Sequence, residues 1–482
     1  MKHVHFIGVS GTGMGALAML FRERGAQVTG SDVAFDPPIG PALVAAGIVC
    51  MQGYDAAHLS PAPDLVVVGN AIRADNPEAV AAAGRNLART SMSGALREQF
   101  LINRRPVVVA GTHGKTTTSA MSAWLLASAE LEPGYFIGGL PKNFPSGAAI
   151  GRAARSLSRP NAPFVVEGDE YDAVYWHKKP KLLDYLGVGP DDVAILTSVE
   201  HDHIDIYPTE RTYEDAFRES LARIPKGGHL FVDATDARAV AIAAEACSSP
   251  ISHYALDGQK TSVTPEWLAA VGPMDDQERQ TFDVFVGGAS CGRFAMKSPG
   301  AHNVKNALAA IAMGAECFGV SMPKARAAMA TFEGVRRRQD LIGEPGGVRV
   351  YDDFAHHPTA VDETLRALKS KHPSGRLFAV FEPRSATACR AIHQDAYVKA
   401  FGAAERVILA PLGRSNVPEG ERLDTRKLAR DLGDPKAIAA SSVDEILALL
   451  VAEARPNDTI ALLSNGAFSG LHGRLIEALR AR

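Results

Sequence analysis

Cysteine is scarce and scattered in this chain: five residues among 482, at Cys50, Cys247, Cys291, Cys317 and Cys389, with no C-x-x-C pair. An odd, dispersed set argues against a disulfide framework and against a structural zinc site. Excess charge is lacking too. Lys and Arg number 51 against 54 Asp and Glu, a net charge of −3, so no global basic field points to nucleic acid or an anionic membrane. No uninterrupted apolar run reaches the roughly 18 residues of a membrane span. No leader pattern precedes the first strand-like stretch, His3–Val9, and a cytoplasmic protein is the expectation. Repeats of about 20–50 residues and low-complexity tracts are missing apart from alanine-rich helical segments. What is present is 46% hydrophobic residues, ample for several buried cores. At one domain per roughly 100–200 residues, the length suggests about three domains.

The stretch with the most chemistry is Val107 to Thr118, reading VVVAGTHGKTTT. β-Branched residues predict a buried parallel strand, then a glycine-bounded turn, then a helix of small residues from Ser119 to Ala127. That order is a phosphate cradle: backbone N–H groups and the helix dipole face an anion. Gly111, Thr112, His113, Gly114, Lys115, Thr116 and Thr117 form it. Lys115 is placed to reach the β/γ-phosphates of ATP, and the Thr116 hydroxyl to hold Mg²⁺. The usual first glycine falls on Val109, so the motif is a shortened G-x-x-G-K-T.

Other blocks gather at predicted strand ends. Gly8 to Gly15 reads GVSGTGMG after a strand, and a second strand, Ala26–Gly30, ends in Ser31-Asp32. This βαβ opening seats a phosphate or pyrophosphate, with NAD as the naive ligand. A following ATP cradle and the lack of a hydride-transfer site weigh against a redox role. A third strand ends at Gly69-Asn70, and Phe100–Pro106 reads as a hinge. The strand ending at Glu167 runs into Gly168-Asp169-Glu170-Tyr171-Asp172, acids placed to bind Mg²⁺ beside the phosphate loop or, taken singly, to form a solvated loop. Glu200, His201, Asp202, His203 and Asp205 follow the next strand and suit a second Mg²⁺. From about Leu230 to Pro299 strands alternate with turns; then Asn303 and Asn306, three apart on one helix face, either read an adenine edge or cap the helix. Arg336, Arg337 and Arg338 are a candidate phosphate clamp. In the last third, strand ends carry Asp352-Asp353 with His356-His357, then Glu382-Pro383-Arg384-Ser385, then Ser464-Asn465-Gly466.

Taken together, these ordered blocks resemble the Mur ligases, the ATP-dependent amide-forming enzymes of bacterial cell-wall precursor synthesis. The resemblance runs the whole chain and implies an α/β protein of three domains: a Rossmann-like UDP-sugar-binding domain (1–104), a central P-loop ATPase-like domain (105–332) and a Rossmann-like C-terminal domain (333–482) that receives the incoming peptide. It implies catalytic roles for Lys115, Glu167, His203 and Arg338, and Mg²⁺ held by Thr116, Glu167 and His203. ATP would be bound by Gly111 to Thr117, Asn303, Asn306, Arg338 and Asp353, with Asp353 on the ribose. The UDP-sugar would meet Gly11, Thr12, Gly13, Met14, Ser31, Asp32 and Asn70; the peptide would meet Arg384, Asn465 and His356. The implied partners are UDP-N-acetylmuramate and a cell-wall peptide, with no nucleic acid or membrane, and a chain acting as a monomer or weak homodimer.

Three places resemble the branch that attaches the tripeptide L-Ala-γ-D-Glu-meso-diaminopimelate during peptidoglycan recycling, through an acyl phosphate. Tyr171 stands where the branch that adds free L-alanine usually has Ser; Glu382–Ser385 replaces its Gln-Pro-His-Arg; Ser464-Asn465-Gly466 replaces a Gly-Ala-Gly turn. Tyr54 and Gly69-Asn70-Ala71 agree with that branch, and L-alanine addition is the alternative. The chain departs from the family at Ser198, usually Asn, and at Arg218, near the place of a carbamylated lysine in several relatives. No carbamylation is expected.

Overall fold

The apolar runs become strands whose two faces are both covered. Leu65–Val68, Val193–Leu196, Leu377–Phe381 and Thr459–Leu463 are buried at every residue, the mark of parallel strands with helices on either side. In the computed structural model, which describes residues 2–151, 162–414 and 417–482, they assemble into three large sheets.

The first sheet has five parallel strands in the order Val49–Gln52, Gln27–Asp32, His3–Ile7, Leu65–Val68, Arg89–Ser91. Strand order reverses at His3–Ile7, which opens a crevice beyond the strand ends. The helix Thr12–Glu23 starts there, and Asn70 follows the adjacent strand. The expected strand His3–Val9 stops at Ile7 because the glycine turn begins at Gly8.

The central sheet has ten strands. Arg104–Ala110 lies between Ala162–Glu167 and Val193–Leu196, parallel to both. The phosphate loop is therefore flanked by the acidic block on one side and the His/acid block on the other. Trp267–Met274, Gln280–Val286 and Ala289–Met296 form an antiparallel extension at one edge. The helix Lys115–Ser128 packs on Ala301–Phe318 so closely that a Cβ at Gly314 would come within 2.6 Å of Leu125 Cδ2.

The third sheet has six strands, all parallel except Asp340–Gly343. Its central members are Arg349–Asp353, Thr459–Leu463 and Leu377–Phe381, so the three polar strand ends of the last third share one edge.

Two further expectations are corrected. Phe100–Pro106 is not a hinge throughout: Arg104 already belongs to a central strand, is buried, and donates from Nη2 to Ile150 O at 2.9 Å with its guanidinium over the Phe164 ring. A stacked, hydrogen-bonded guanidinium is tolerated inside. The 230–299 region also holds a helix, Ala237–Ala246, whose start is capped by Asp236 accepting from Arg238 N and Ala239 N. One continuous apolar cluster joins the first sheet to one face of the central sheet, from Val4 and Phe6 through Met92 and Phe136 to Ala243. Among the described residues no helix is long and apolar enough to cross a membrane.

Candidate active site

The C-terminal edges of the three sheets converge on a cavity of about 1050 Å³. Its walls include Gly11, Thr12, Gly13, Met14 and Asn70; Thr112 to Thr117, Glu167, His203, Asn303 and Asn306; and Arg338, Asp353 and His356. Most residues singled out in the sequence thus share one space.

The phosphate loop is held by the next strand end. Thr112 N donates to Ser198 O at 3.0 Å, His113 N to Ser198 Oγ at 3.1 Å, and Thr197 Oγ1 to His113 O at 2.6 Å. Ser198, which departs from the family pattern, is therefore a support of the loop. Gly111 has φ +124°, and an added Cβ would lie 2.3 Å from Thr197 Oγ1 and 2.7 Å from Ser198 N. Gly111→Ala is expected to lower stability by about 1–3 kcal/mol in urea unfolding. Gly25→Ala, equally left-handed at φ +94° but meeting nothing within 4 Å, should cost less; equal losses would mean backbone strain alone is at work.

Lys115 Nζ donates to Gly111 O at 2.6 Å and pairs with Glu170 Oε1 at 3.0 Å. Burial alone would favour the neutral amine, but Glu170, with Glu167 and Asp169 behind it, outweighs burial and raises the Lys115 pKa. On Glu170 burial wins, and its pKa is raised. The two directions differ in what dominates, the acidic neighbours on Lys115 and burial on Glu170, as expected of a pair shielded from water. Thr116 Oγ1 donates to Glu167 Oε1 at 2.7 Å and accepts from Arg338 Nη2 at 3.2 Å; Glu167 Oε2 accepts from Gly138 N at 2.7 Å. Residues from three separate parts of the chain meet at one hydroxyl.

His203 occupies another wall. Its backbone is left-handed, φ +54°, and its ring lies 4.5 Å from Tyr171. The adjacent Asp202 accepts from Thr387 Oγ1 at 2.7 Å, a tie to the third sheet. Burial would raise the Asp202 pKa, but the His203 and His356 charges and the Thr387 bond hold it well below the usual carboxylate range. The structure thus brings Thr116 and Glu167 together and leaves His203 with Tyr171.

Asn303 and Asn306 share a helix face as expected. Asn303 Nδ2 donates to Pro299 O at 2.8 Å and Gln339 Oε1 at 3.2 Å. Asn306 Oδ1 leans on the phosphate loop, 2.6 Å from where a Gly114 Cβ would stand. Asp353 is buried, with its carboxylate oxygens accepting from Gln339 N and Ala355 N, each at 2.7 Å.

In the first crevice Gly13 sits against Met92 and Phe136, 2.8 Å from Met92 Sδ to an added Cβ. Asp32 accepts from Ser10 N at 2.8 Å and so braces the glycine turn. Ser31 is fully buried and donates to Glu78 Oε2 at 2.5 Å, with His5 and His58 on the same carboxylate. Its hydroxyl is committed below the turn.

Arg384 and Asn465 are brought together at the third sheet. The Arg384 side chain fills a slot between Gly413 and Gly466; an added Cβ at Gly466 would lie 2.2 Å from Arg384 Cδ. Asn465 Oδ1 is buried with no hydrogen-bond partner among the described residues. Arg337 Nη2 anchors this turn, donating to Ser464 O and Gly466 O at 2.7 Å. His356 is half-buried, and its desolvation lowers its pKa.

Sequence reasoning missed the part played by Glu200, His357 and Thr359. Glu200 accepts from His113 Nε2 at 2.8 Å and from Thr359 Oγ1 at 2.9 Å, linking phosphate loop and third domain. The available signal was polar residues just beyond a strand end and at the start of the helix Pro358–Lys371.

Three family models match in sequence: "Mur ligase family, catalytic domain" over residues 3–101, "Mur ligase middle domain" over 109–314, and "Mur ligase, glutamate ligase domain" over 337–466. A curated protein of Escherichia coli (strain K12), a UDP-N-acetylmuramate–L-alanyl-γ-D-glutamyl-meso-2,6-diaminoheptandioate ligase, is 36% identical over 477 residues, covering 99% of this chain and 98% of its own. Its namesake from Haemophilus influenzae is 34% identical over 483 residues, covering 100% of each chain. The crystal structure of a murein peptide ligase from Psychrobacter arcticus superposes with a TM-score of 0.72 at 34% identity, covering 100% of this chain and 99% of that one. With models matched across all three sheets and relatives similar from end to end, this chain belongs to the Mur ligase family of ATP-dependent amide-forming ligases.

Proposed function

We propose that this ligase joins the lactyl carboxylate of UDP-N-acetylmuramate to the α-amine of L-Ala-γ-D-Glu-meso-diaminopimelate, with ATP and Mg²⁺, in peptidoglycan recycling. A carboxylate carbon is a poor electrophile in neutral water, so the bond needs activation. When bound, ATP supplies the phosphoryl group that turns the carboxylate into an acyl phosphate, and Mg²⁺ offsets the phosphate charge. The donors at Thr116 and Glu167 are oxygens 2.7 Å apart, which suits a hard cation.

The chain's own part is positioning and charge stabilisation. Lys115, the N-terminus of the helix Lys115–Ser128, and Arg338 neutralise the transferring phosphoryl group. Asn303, Asn306 and Asp353 shape the nucleotide end, and His203, seated on Tyr171, borders the acceptor side. The crevice of the first domain takes the UDP-sugar at Gly11–Met14 and Asn70. The central domain, which begins with the strand Arg104–Ala110, carries the nucleotide, and the third carries the peptide. ATP and UDP-sugars are cytoplasmic metabolites, so the reaction is placed there.

The observation that carries the tripeptide reading is the seat of Arg384 beside the unpartnered Asn465 Oδ1. A guanidinium fits a peptide carboxylate, and a free carbonyl oxygen fits an N–H. The test is phosphate release with ATP, Mg²⁺ and UDP-N-acetylmuramate, comparing free L-alanine with the tripeptide. Turnover with tripeptide alone is expected; turnover with L-alanine alone would overturn the assignment.

A further inference from the structure

His113, Glu200 and His357 meet where the third domain touches the phosphate loop, on the wall of the same cavity. His113 comes from the loop itself, Glu200 from just beyond the strand Val193–Leu196, and His357 from the start of the helix Pro358–Lys371. One donor atom from each lies within 4.8 Å of the other two. Glu200 Oε2 is 2.8 Å from His113 Nε2 and 3.8 Å from His357 Nδ1. The second distance is too long for a hydrogen bond.

His357 is the unusual member. It is 4% exposed, and neither ring nitrogen has a hydrogen-bond partner among the described residues. Leaving a buried polar group unpaired is costly. Its ring lies 4.8 Å from that of His113 and 4.6 Å from that of His393, with Asp202 also within electrostatic range. Burial and the neighbouring rings lower the His357 pKa to about 3. Burial would raise that of Glu200, but His113 and His357 hold it down to about 2. A neutral imidazole and a carboxylate are the forms that bind metals.

We propose that His113, Glu200 and His357 form a binding site for one divalent transition-metal ion of the Zn²⁺ class, bridging the central and third domains. Two imidazoles and one carboxylate make a ligand set that suits Zn²⁺, Co²⁺ or Ni²⁺, whereas Mg²⁺ prefers the all-oxygen pair at Thr116 and Glu167. Binding replaces the His113–Glu200 hydrogen bond: the His113 Nε2 proton is released or shifts to Nδ1, and the freed lone pair meets the ion. Because the ligands come from both domains, the ion would hold the third domain against the phosphate loop.

The test uses the full chain, stripped with chelator and titrated with Co²⁺ in excess Mg²⁺, following visible d–d absorption and the thermal midpoint. One equivalent of Co²⁺, displaced by Zn²⁺ and raising the midpoint, is expected. His357→Phe and Glu200→Gln should each weaken Co²⁺ binding at least tenfold and abolish the midpoint rise, while Glu167→Gln leaves the Co²⁺ signal as it was. Circular dichroism melts without metal establish that each variant is folded, and either of the two suffices if the other is not. No stoichiometric signal, a signal unchanged in the folded variants, or one lost in Glu167→Gln would overturn the proposal.

Discussion

Lys115→Ala is expected to lower turnover by roughly a thousandfold or more, the scale for removing a principal charge from a phosphoryl-transfer site, while UDP-N-acetylmuramate binding stays within a few-fold. The crevice proposed for the sugar nucleotide is built by the first sheet, and none of the hydrogen bonds of Lys115 reaches it. The single variant carries a second effect. Glu170 is buried and pairs with Lys115, so deleting the lysine strands a carboxylate, at roughly 3–5 kcal/mol. Lys115→Ala/Glu170→Gln removes both charges and should recover most of the lost thermal midpoint without recovering turnover. Measuring both variants separates the chemistry from the folding. Retained turnover in either one would remove Lys115 from the mechanism.

The second large effect is expected at the third sheet. Arg384→His should raise the KM for the tripeptide about 10–100-fold, the worth of one charge-assisted hydrogen bond or a bidentate pair, with the KM for ATP changed only a few-fold. Gly466→Ala should act in the same direction with the arginine still present, because its Cβ would occupy the place of Arg384 Cδ, 2.2 Å away. The two variants share a cause and so should not add. Steady-state kinetics with each substrate varied in turn decides the matter; an equal loss for ATP and tripeptide would sink the specificity assignment.

How far the sequence carried depends on the range of the interaction. The phosphate loop was legible because its requirements are local: a β-branched run for the buried strand, glycines at Gly111 and Gly114 where φ is +124° and +78°, and a helix starting at Lys115. The glycine turn before Thr12–Glu23 and the paired asparagines Asn303 and Asn306 were legible for the same reason. The α/β class, three domains and the resemblance to the Mur ligases followed from the order of such blocks along one chain. The hinge reading failed at Arg104 because burial of an arginine depends on Phe164 and Ile150, which local sequence does not place there.

What the tertiary structure alone decided are contacts between residues far apart in the chain. Arg338 reaches Thr116 across 222 positions, and Thr359 reaches Glu200 across 159. Ser31 turned inward to Glu78, Arg384 settled between Gly413 and Gly466, and His113 met Glu200 and His357. A strand or a glycine turn is selected by the backbone conformations its own residues permit. The partner of a buried charge or imidazole is selected by which strand ends lie side by side, and sheet order sets that only when the whole chain has packed.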